Sequence, residues 1–252
     1  MLTRNSKHIL GIPNYGPRFH HFVCGLGIVF SGVMMSGCFE STGSKYSLKK
    51  SLNAFQKVTG EDIENDRARW DSLYNQSNQG SYVFGKEPAD ILKTFIEKIP
   101  VGHALDIAMG EGRNAVFLAK RGFVVEGVDL SEVALRRARK LARENHVNIE
   151  TVNADLNTYQ IKPNSYEVII NIDYLQRSLV PGIKKGLKSG GVLVFENLTI
   201  DQLGNRNSSG LRRDILLQRG ELKEMFKEFR ILSYNESNDG QNAKASLVAV
   251  KP

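Results

Sequence analysis

The stretch from His103 to Asp129, HALDIAMGEGRNAVFLAKRGFVVEGVD, constrains the fold of this chain more than any other. An apolar run stops at an acid, Asp106. A turn carrying Gly110 and Gly112 follows, a helical pattern opens at Arg113, and a second apolar run ends in Asp129. The order predicts strand, turn, helix and strand, the opening unit of a parallel sheet. Such a turn brings backbone N–H groups and a helix N-terminus close to a bound nucleotide-like ligand. Asp129, 23 residues after Asp106, sits where these folds place the carboxylate that holds ribose hydroxyls.

The alternation continues downstream. Strands are expected at His103 to Met109, Phe123 to Asp129, Ile149 to Asn153, Tyr166 to Asp173, Val192 to Leu198, Phe229 to Tyr234 and Ala245 to Val250. Between them helices are expected near Asn114 to Lys120, Glu132 to Glu144, Pro181 to Leu187 and Glu221 to Glu228. Ser131 is the expected N-cap of the second of these, and Gly122 the stop of the first. Upstream, a helical pattern from Glu61 offers Ile63, Trp70, Leu73 and Tyr74 for burial, and a second helix, ADILKTFIEKI, follows Pro88. The fold class is therefore α/β, a doubly wound sheet of seven mostly parallel strands with helices on both faces. Its site is expected at the carboxyl ends of the strands.

GEGRNA also satisfies G-x-G-x-x-[GA], the dinucleotide fingerprint, which alone is a weak signal. Asp106 discriminates. A carboxylate at the end of the first strand repels a pyrophosphate and suits a cation. S-adenosylmethionine carries a sulfonium and an ammonium, which places Asp106 near that end and Asp129 on the ribose.

At these residues the chain resembles the class I S-adenosylmethionine-dependent methyltransferases, whose first motif is an acid followed by glycines at the second, fourth and sixth positions. Here those positions are Ala108, Gly110 and Gly112, with Met109 where a smaller residue is usual. The segments GEGRN at 110 to 114, RWDSLYNQ at 69 to 76, YVFGKEP at 82 to 88, DYLQRSL at 173 to 179 and GELKEMF at 220 to 226 look like the tellurite-resistance and thiopurine methyltransferase-like branch. The resemblance covers roughly Asp66 to the C-terminus. It implies a Rossmann-like methyltransferase fold whose last strand is antiparallel, and substrates that are small soft nucleophiles such as chalcogen oxyanions or thiols.

Asp106, Ala108, Gly110, Gly112, Arg113, Asn114, Asp129 and Leu130 are the expected cofactor-binding residues of the turn and second strand; Asp155 and Leu156, past the third, resemble the pair that meets the adenine. Asp173, Tyr174 and Arg177 are the catalytic candidates after the fourth strand, with Gln176 beside them and Arg177 able to hold an oxyanion. Trp70, Tyr74, Tyr82 and Phe84 form a candidate aromatic lid over substrate and sulfonium. In-line displacement from a sulfonium leaves a neutral leaving group, so positioning supplies the acceleration without a catalytic triad. Of the histidines His8, His20, His21, His103 and His146, those in the folded region show no ligand spacing, and no metal is expected; Asp173, Glu196 and Asn197 are the weak alternative, an oxygen set for magnesium. Thr199 to Gly220, rich in Asn, Ser and Gly, reads as a cover over the substrate.

The net charge of +7 invites a nucleic-acid reading, but residues 1–60 carry seven basic groups against Glu40 alone, which leaves +1 for residues 61–252. No phosphate-backbone footprint remains there, and the expected partner is a small-molecule methyl acceptor, not a nucleic acid. Residues 1–39 hold no acid, and the apolar run Phe22 to Met35 has the length of a signal h-region. The MSGC ending resembles a bacterial lipobox with Cys38 as the lipidated residue. A presequence, or an upstream start with Met34 or Met35 as the true one, is the alternative. Residues 1–60 are thus read as a leader and basic polar linker, and residues 61–252 as the methyltransferase domain, monomeric or dimeric. Membrane contact is expected only through residues 1–38. Cofactor supply favours the cytoplasm, and Cys38 a membrane-anchored lipoprotein. Two rivals stay open: an NAD-type oxidoreductase, and a catalytically idle S-adenosylmethionine-binding module at the cell envelope.

Overall fold

A computed structural model describes residues 60–76, 81–205, 208 and 211–252. The expected leader, the linker and both cysteines lie outside the described residues. Seven strands form one sheet: β1 (His103–Ile107), β2 (Val124–Asp129), β3 (Glu150–Asn153), β4 (Tyr166–Ile172), β5 (Leu187–Leu198), β6 (Arg230–Asn238) and β7 (Ala243–Val250). Their spatial order is β3-β2-β1-β4-β5-β7-β6. The pairings β1 with β2 and β4, β2 with β3, and β4 with β5 are parallel, whereas β7 runs antiparallel to both neighbours. The strand order reverses at β1 and β4, so their carboxyl ends open the crevice in which such sheets bind ligands.

The period-two alternation of strand side chains divides the core. Ala104, Val125, Val168, Ile170, Val194 and Val248 face one side. There they pack with α2 (Asp90–Phe95) through Leu92, α3 (Arg113–Ala119) through Ala115 and Leu118, and α4 (Glu132–Glu144) through Leu135 and Ala138. Leu105, Ile107, Val128, Ile169, Leu193, Phe195 and Leu247 face the other, against α5 (Val180–Gly186) through Ile183 and α6 (Glu221–Met225) through Leu222. The remaining helix, α1 (Gly60–Gln76), lies against α4. Here a small cluster joins Tyr74, Val133 and Ala134, with Trp70 and Val83 packed on it. Among the described residues no helix is long and apolar enough to cross a membrane.

Most element boundaries move by a residue or two from the sequence expectation, for local reasons. β1 stops at Ile107 because Ala108 adopts φ 53, and β4 stops at Ile172 because Asp173 adopts φ 60. Left-handed backbone takes a residue out of the extended ladder. Ser131 caps α4 as expected, its Oγ accepting the Ala134 N–H at 3.1 Å, and Gly122 closes the α3 turn at φ 86. Larger differences occur at the far edge. β5 starts five residues before the expected Val192, at Leu187, whose partner is Tyr166. β6 continues through Glu236, Ser237 and Asn238, an exposed stretch whose polarity reads as loop but whose backbone pairs with β7. The helix expected to reach Glu228 ends at Met225, and that expected over residues 89–99 tightens into a 3-10 turn at Ile96–Lys98.

Met109 is turned into the core, where it takes the space that Gly127 leaves on β2. A Cβ on Gly127 would lie 1.8 Å from Met109 Sδ. The Gly127→Ala variant is therefore expected to lose about 1–3 kcal/mol through overpacking. Chemical denaturation should show that Met109→Ala, added to it, costs far less than in the parent.

Candidate active site

The crevice is built on a turn that backbone hydrogen bonds lock from below. After Ala108, Gly110 and Gly112 have φ 55 and φ 82, conformations that a side chain disfavours. Space excludes side chains there as well, since a Cβ on Gly112 would lie 2.8 Å from Ala138 Cβ, and one on Gly110 2.9 Å from the Tyr74 hydroxyl. The Gly110 N–H donates to Asp129 Oδ2 at 2.8 Å, and the Ser131 N–H to Asp129 Oδ1 at 2.9 Å. Asp129, buried at the end of β2, thus clamps the two strand ends together. Burial pushes its carboxyl above the usual carboxylate range, opposed by those same N–H groups.

Asp106 lies deeper. It is 2% exposed, and its Oδ2 has no hydrogen-bond partner among the described residues. Loss of solvent pushes its pKa up to about 8, with Arg113 and the Ala115 amide pulling down and Asp129 pushing up. A buried, unsatisfied carboxyl is costly, and such groups gather where a ligand completes them. Further along the crevice, Leu130 is half-buried, and its carbonyl accepts Asn153 Nδ2 at 2.8 Å. Asp155 Oδ1 accepts the Asn157 N–H at 2.9 Å in an Asx turn, which leaves Oδ2 buried and unpartnered, and Leu156 is buried beside it. Asn114, expected on the cofactor, turns its Oδ1 instead to the Ala89 N–H at 2.9 Å, tying α3 to the entry of α2. Both amide atoms of the fully buried Asn171 also lack partners among the described residues.

At the end of β4 the structure gathers a group that the sequence reading only half found. Asp173 is held between Arg113 Nη2 at 2.9 Å and Lys244 Nζ at 3.5 Å, and Lys244 also reaches Glu196 Oε1 at 3.0 Å. Where the magnesium alternative needs a cation between Asp173 and Glu196, the Lys244 ammonium stands, while Asn197 turns away to the Ile215 carbonyl at 2.9 Å. Among the described residues no three His, Cys, Asp or Glu side chains gather as metal ligands. Tyr174 donates to Gln176 Oε1 at 2.6 Å, and Gln176 Nε2 donates to Ser178 Oγ at 2.9 Å. Burial raises the Tyr174 phenol, so it stays protonated.

Arg177 is oriented elsewhere. Its guanidinium grips Glu221 at 2.6 and 2.8 Å and donates to the carbonyls of Asp214 at 2.7 Å and Leu216 at 2.9 Å. It fastens the chain between β5 and α6, so the oxyanion contact expected of it competes with four existing hydrogen bonds. That connection, expected to cover the substrate, is anchored at its ends. Thr199 pairs with Leu217, and Leu216, Leu217 and Gln202 are buried, whereas residues 206, 207, 209 and 210 lie outside the described residues.

The aromatic set divides. Trp70 and Tyr74 stack at 6.1 Å, Tyr74 meets the Phe84 ring edge-on at 6.2 Å, and Tyr74 is the member that touches the glycine turn. Tyr82 packs away from the turn, against Val116, Leu141 and Ala142, under the cations of Lys86 and Arg137.

With this geometry in place, likeness to known proteins agrees with the fold. Residues 104–191 match a family described as a methyltransferase domain. TehB of Haemophilus influenzae, described as a probable S-adenosyl-L-methionine-dependent methyltransferase, is 28% identical over 137 residues, which cover 53% of this chain and 48% of that protein. Residues 104–191 are thus similar to a methyltransferase domain, within a chain of the same fold. The ubiquinone biosynthesis O-methyltransferase of Idiomarina loihiensis is 32% identical over 100 residues, 37% of this chain and 41% of that one. The crystal structure of the Haemophilus TehB superposes with a TM-score of 0.55 at 23% identity, covering 65% of this chain and 62% of that chain. The match thus spans about half the length of these curated relatives.

Sequence reading missed Lys244, Glu111 and Arg137. Glu111 is buried between the two glycines and paired with Arg137 at 2.7 Å. Only the spacing of Glu111 inside the glycine motif could have drawn attention to it. For Arg177 the geometry makes a specific prediction. Arg177→Ala leaves two carbonyls unmatched and Glu221 with only the Gln218 N–H, and should lower stability by about 1–3 kcal/mol. Arg177→Lys should recover only a part, since an ammonium lacks the planar fork; thermal unfolding of the three proteins checks this.

Proposed function

We propose that this chain transfers the methyl group of S-adenosylmethionine to a small soft nucleophile, a chalcogen oxyanion or thiol, by in-line displacement. The observation that carries the cofactor reading is Asp106, whose buried Oδ2 lacks a partner at the mouth of the glycine turn. A carboxyl so placed is matched by a cationic ligand and mismatched by a pyrophosphate. That is the physical reason to prefer S-adenosylmethionine over NAD, and the family likeness supports the same choice.

The residues present fit the group. Asp129 keeps lone pairs for ribose hydroxyls beyond the two N–H bonds it accepts. Asp155, with its buried, unpartnered Oδ2, and Leu156, with its apolar side chain, are the residues that would meet the adenine. Gly110 and Gly112 let the backbone come close. S-adenosylmethionine, when bound, supplies an electrophilic methyl group on a leaving sulfonium. The chain contributes orientation and the exclusion of water, through the turn below and Tyr74 above.

On the acceptor side Asp173, Tyr174 and Gln176 form the wall, with Arg113 and Lys244 as the nearby cations. Tyr174, held protonated by burial, serves as a hydrogen-bond donor and not as a base. A nucleophile that arrives ionised needs no base at all. The choice of a soft acceptor rests on the likeness to TehB and the tellurite-resistance branch.

The test is calorimetric titration with S-adenosylmethionine, its demethylated product and NAD. S-adenosylmethionine should bind and NAD should not. Asp129→Ala should weaken the affinity by about 1.5–3 kcal/mol, the size of a lost hydrogen bond to a charged group. Tighter binding of NAD, or unchanged affinity in the variant, contradicts the reading.

A further inference from the structure

Glu111 stands between Gly110 and Gly112 in the turn, yet its side chain leaves the crevice and enters the protein. It is 4% exposed, and burial pushes its carboxyl upward against the pull of Arg137 and two amides. One oxygen accepts the Val83 N–H at 2.7 Å and the Phe84 N–H at 3.4 Å; the other pairs with Arg137 Nε at 2.7 Å. Arg137 in turn donates to the carbonyls of Tyr74 and Ser81. One carboxylate therefore gathers the end of α1, the strap of residues 81–84 and α4 around the glycine turn.

The strap and α1 rest on two small apolar clusters. Tyr74, Trp70 and Val83 lie on Val133 and Ala134, and Tyr82 packs against Val116, Leu141 and Ala142. Polar attachments carry the rest. Besides the Glu111 pair, Asp71 accepts from the Ser131 hydroxyl, and Ser131 N–H binds Asp129. The Tyr74 hydroxyl stands 2.9 Å from where a Gly110 Cβ would be, so whatever holds α1 and the strap also holds Tyr74 across the turn.

We propose that Glu111 is a positioning residue that couples the ligand-holding turn to the strap and Tyr74, and thereby sets how long the cofactor stays bound. The inference rests on the cofactor reading above. Glu111 touches no ligand in this role and acts through Val83, Phe84 and Arg137. The effect falls on cofactor release. The acceptor wall at Asp173 and Tyr174 belongs to the far side of the crevice and is untouched.

The test is stopped-flow release of S-adenosylhomocysteine and S-adenosylmethionine from the full chain and from Glu111→Gln and Glu111→Ala, with hydrogen exchange read at residues 81–84. Gln keeps an acceptor for Val83 but loses the charge that pairs with Arg137. It is the informative variant should Ala fail to fold. Release from Glu111→Gln is expected to be about five- to tenfold faster, a common size for coupling between two sites. The Val83 and Phe84 amides should exchange faster, and because loss of the buried charge pair lowers the thermal midpoint of the ligand-free protein, release is read well below that midpoint. A purely structural role would lower that midpoint and the bound fraction while leaving the release rate of folded protein unchanged, and an unchanged rate overturns the proposal. Should the parent bind neither compound, the cofactor reading itself falls and takes this one with it. Binding in the parent with unchanged release in the variant removes this one alone.

Discussion

The carboxylate of Asp129 is the fixed point of the crevice. Its two oxygens accept the N–H of Gly110, in the turn after β1, and the N–H of Ser131, at the head of α4. Two strand ends, a left-handed turn and a helix start are thereby held in one register. Each neighbour depends on this. Gly112 is fitted against Ala138 only because α4 starts where Ser131 is held, and Tyr74 lies on Gly110 only because the turn rises to meet it. The clamp is buried and made of charge-assisted bonds, which resist rearrangement more than surface contacts do.

Around this clamp the two sides of the crevice differ in electrostatic character. On the β1 side Asp106 is an unmatched acid kept from solvent, a destabilising arrangement that a bound cation relieves. On the β4 side the charges already satisfy one another, since Arg113 and Lys244 face Asp173 and Glu196. The first side therefore holds an acid whose ionised form a bound cation would stabilise, while the second is neutral as a group, its side chains partly exposed and paired. Asp173 at φ 60 and Ala108 at φ 53 mark the two strand ends where backbone strain is stored, one on each side of the crevice.

Much of this was legible in the sequence where the information is local. The sheet, the Ser131 cap and the Gly122 stop follow from periodicity and from residues acting on their own neighbourhood, whereas the antiparallel last strand followed from the family resemblance. Asp106 and Asp129 were legible because a fixed strand-turn-helix geometry links them. What stayed hidden depends on long-range pairing. Arg177 reads as a free guanidinium until Glu221, 44 residues later, is folded against it. Lys244 enters the site only because β7 inserts beside β5, and Glu111 finds Val83 28 residues upstream. The outer strand β6 was cut short in the sequence reading because its side chains are exposed, so backbone pairing alone defines its last residues.

The most direct measurement is the proton balance of cofactor binding. Below pH 8 the Asp106 carboxyl of the ligand-free protein is protonated, because burial raises its pKa to about 8. A cation beside it favours the carboxylate and lowers that pKa, so binding must expel a proton, and affinity must rise with pH up to that value. At about pH 6.5 the cofactor's own amino group, with a reference pKa of about 7.7–8.0, is already charged and adds no release of its own. Titration of S-adenosylmethionine in two buffers of different ionisation enthalpy at that pH should show close to one proton released by the parent and none by Asp106→Asn. Equal release by the two proteins, or none by the parent, would contradict the account.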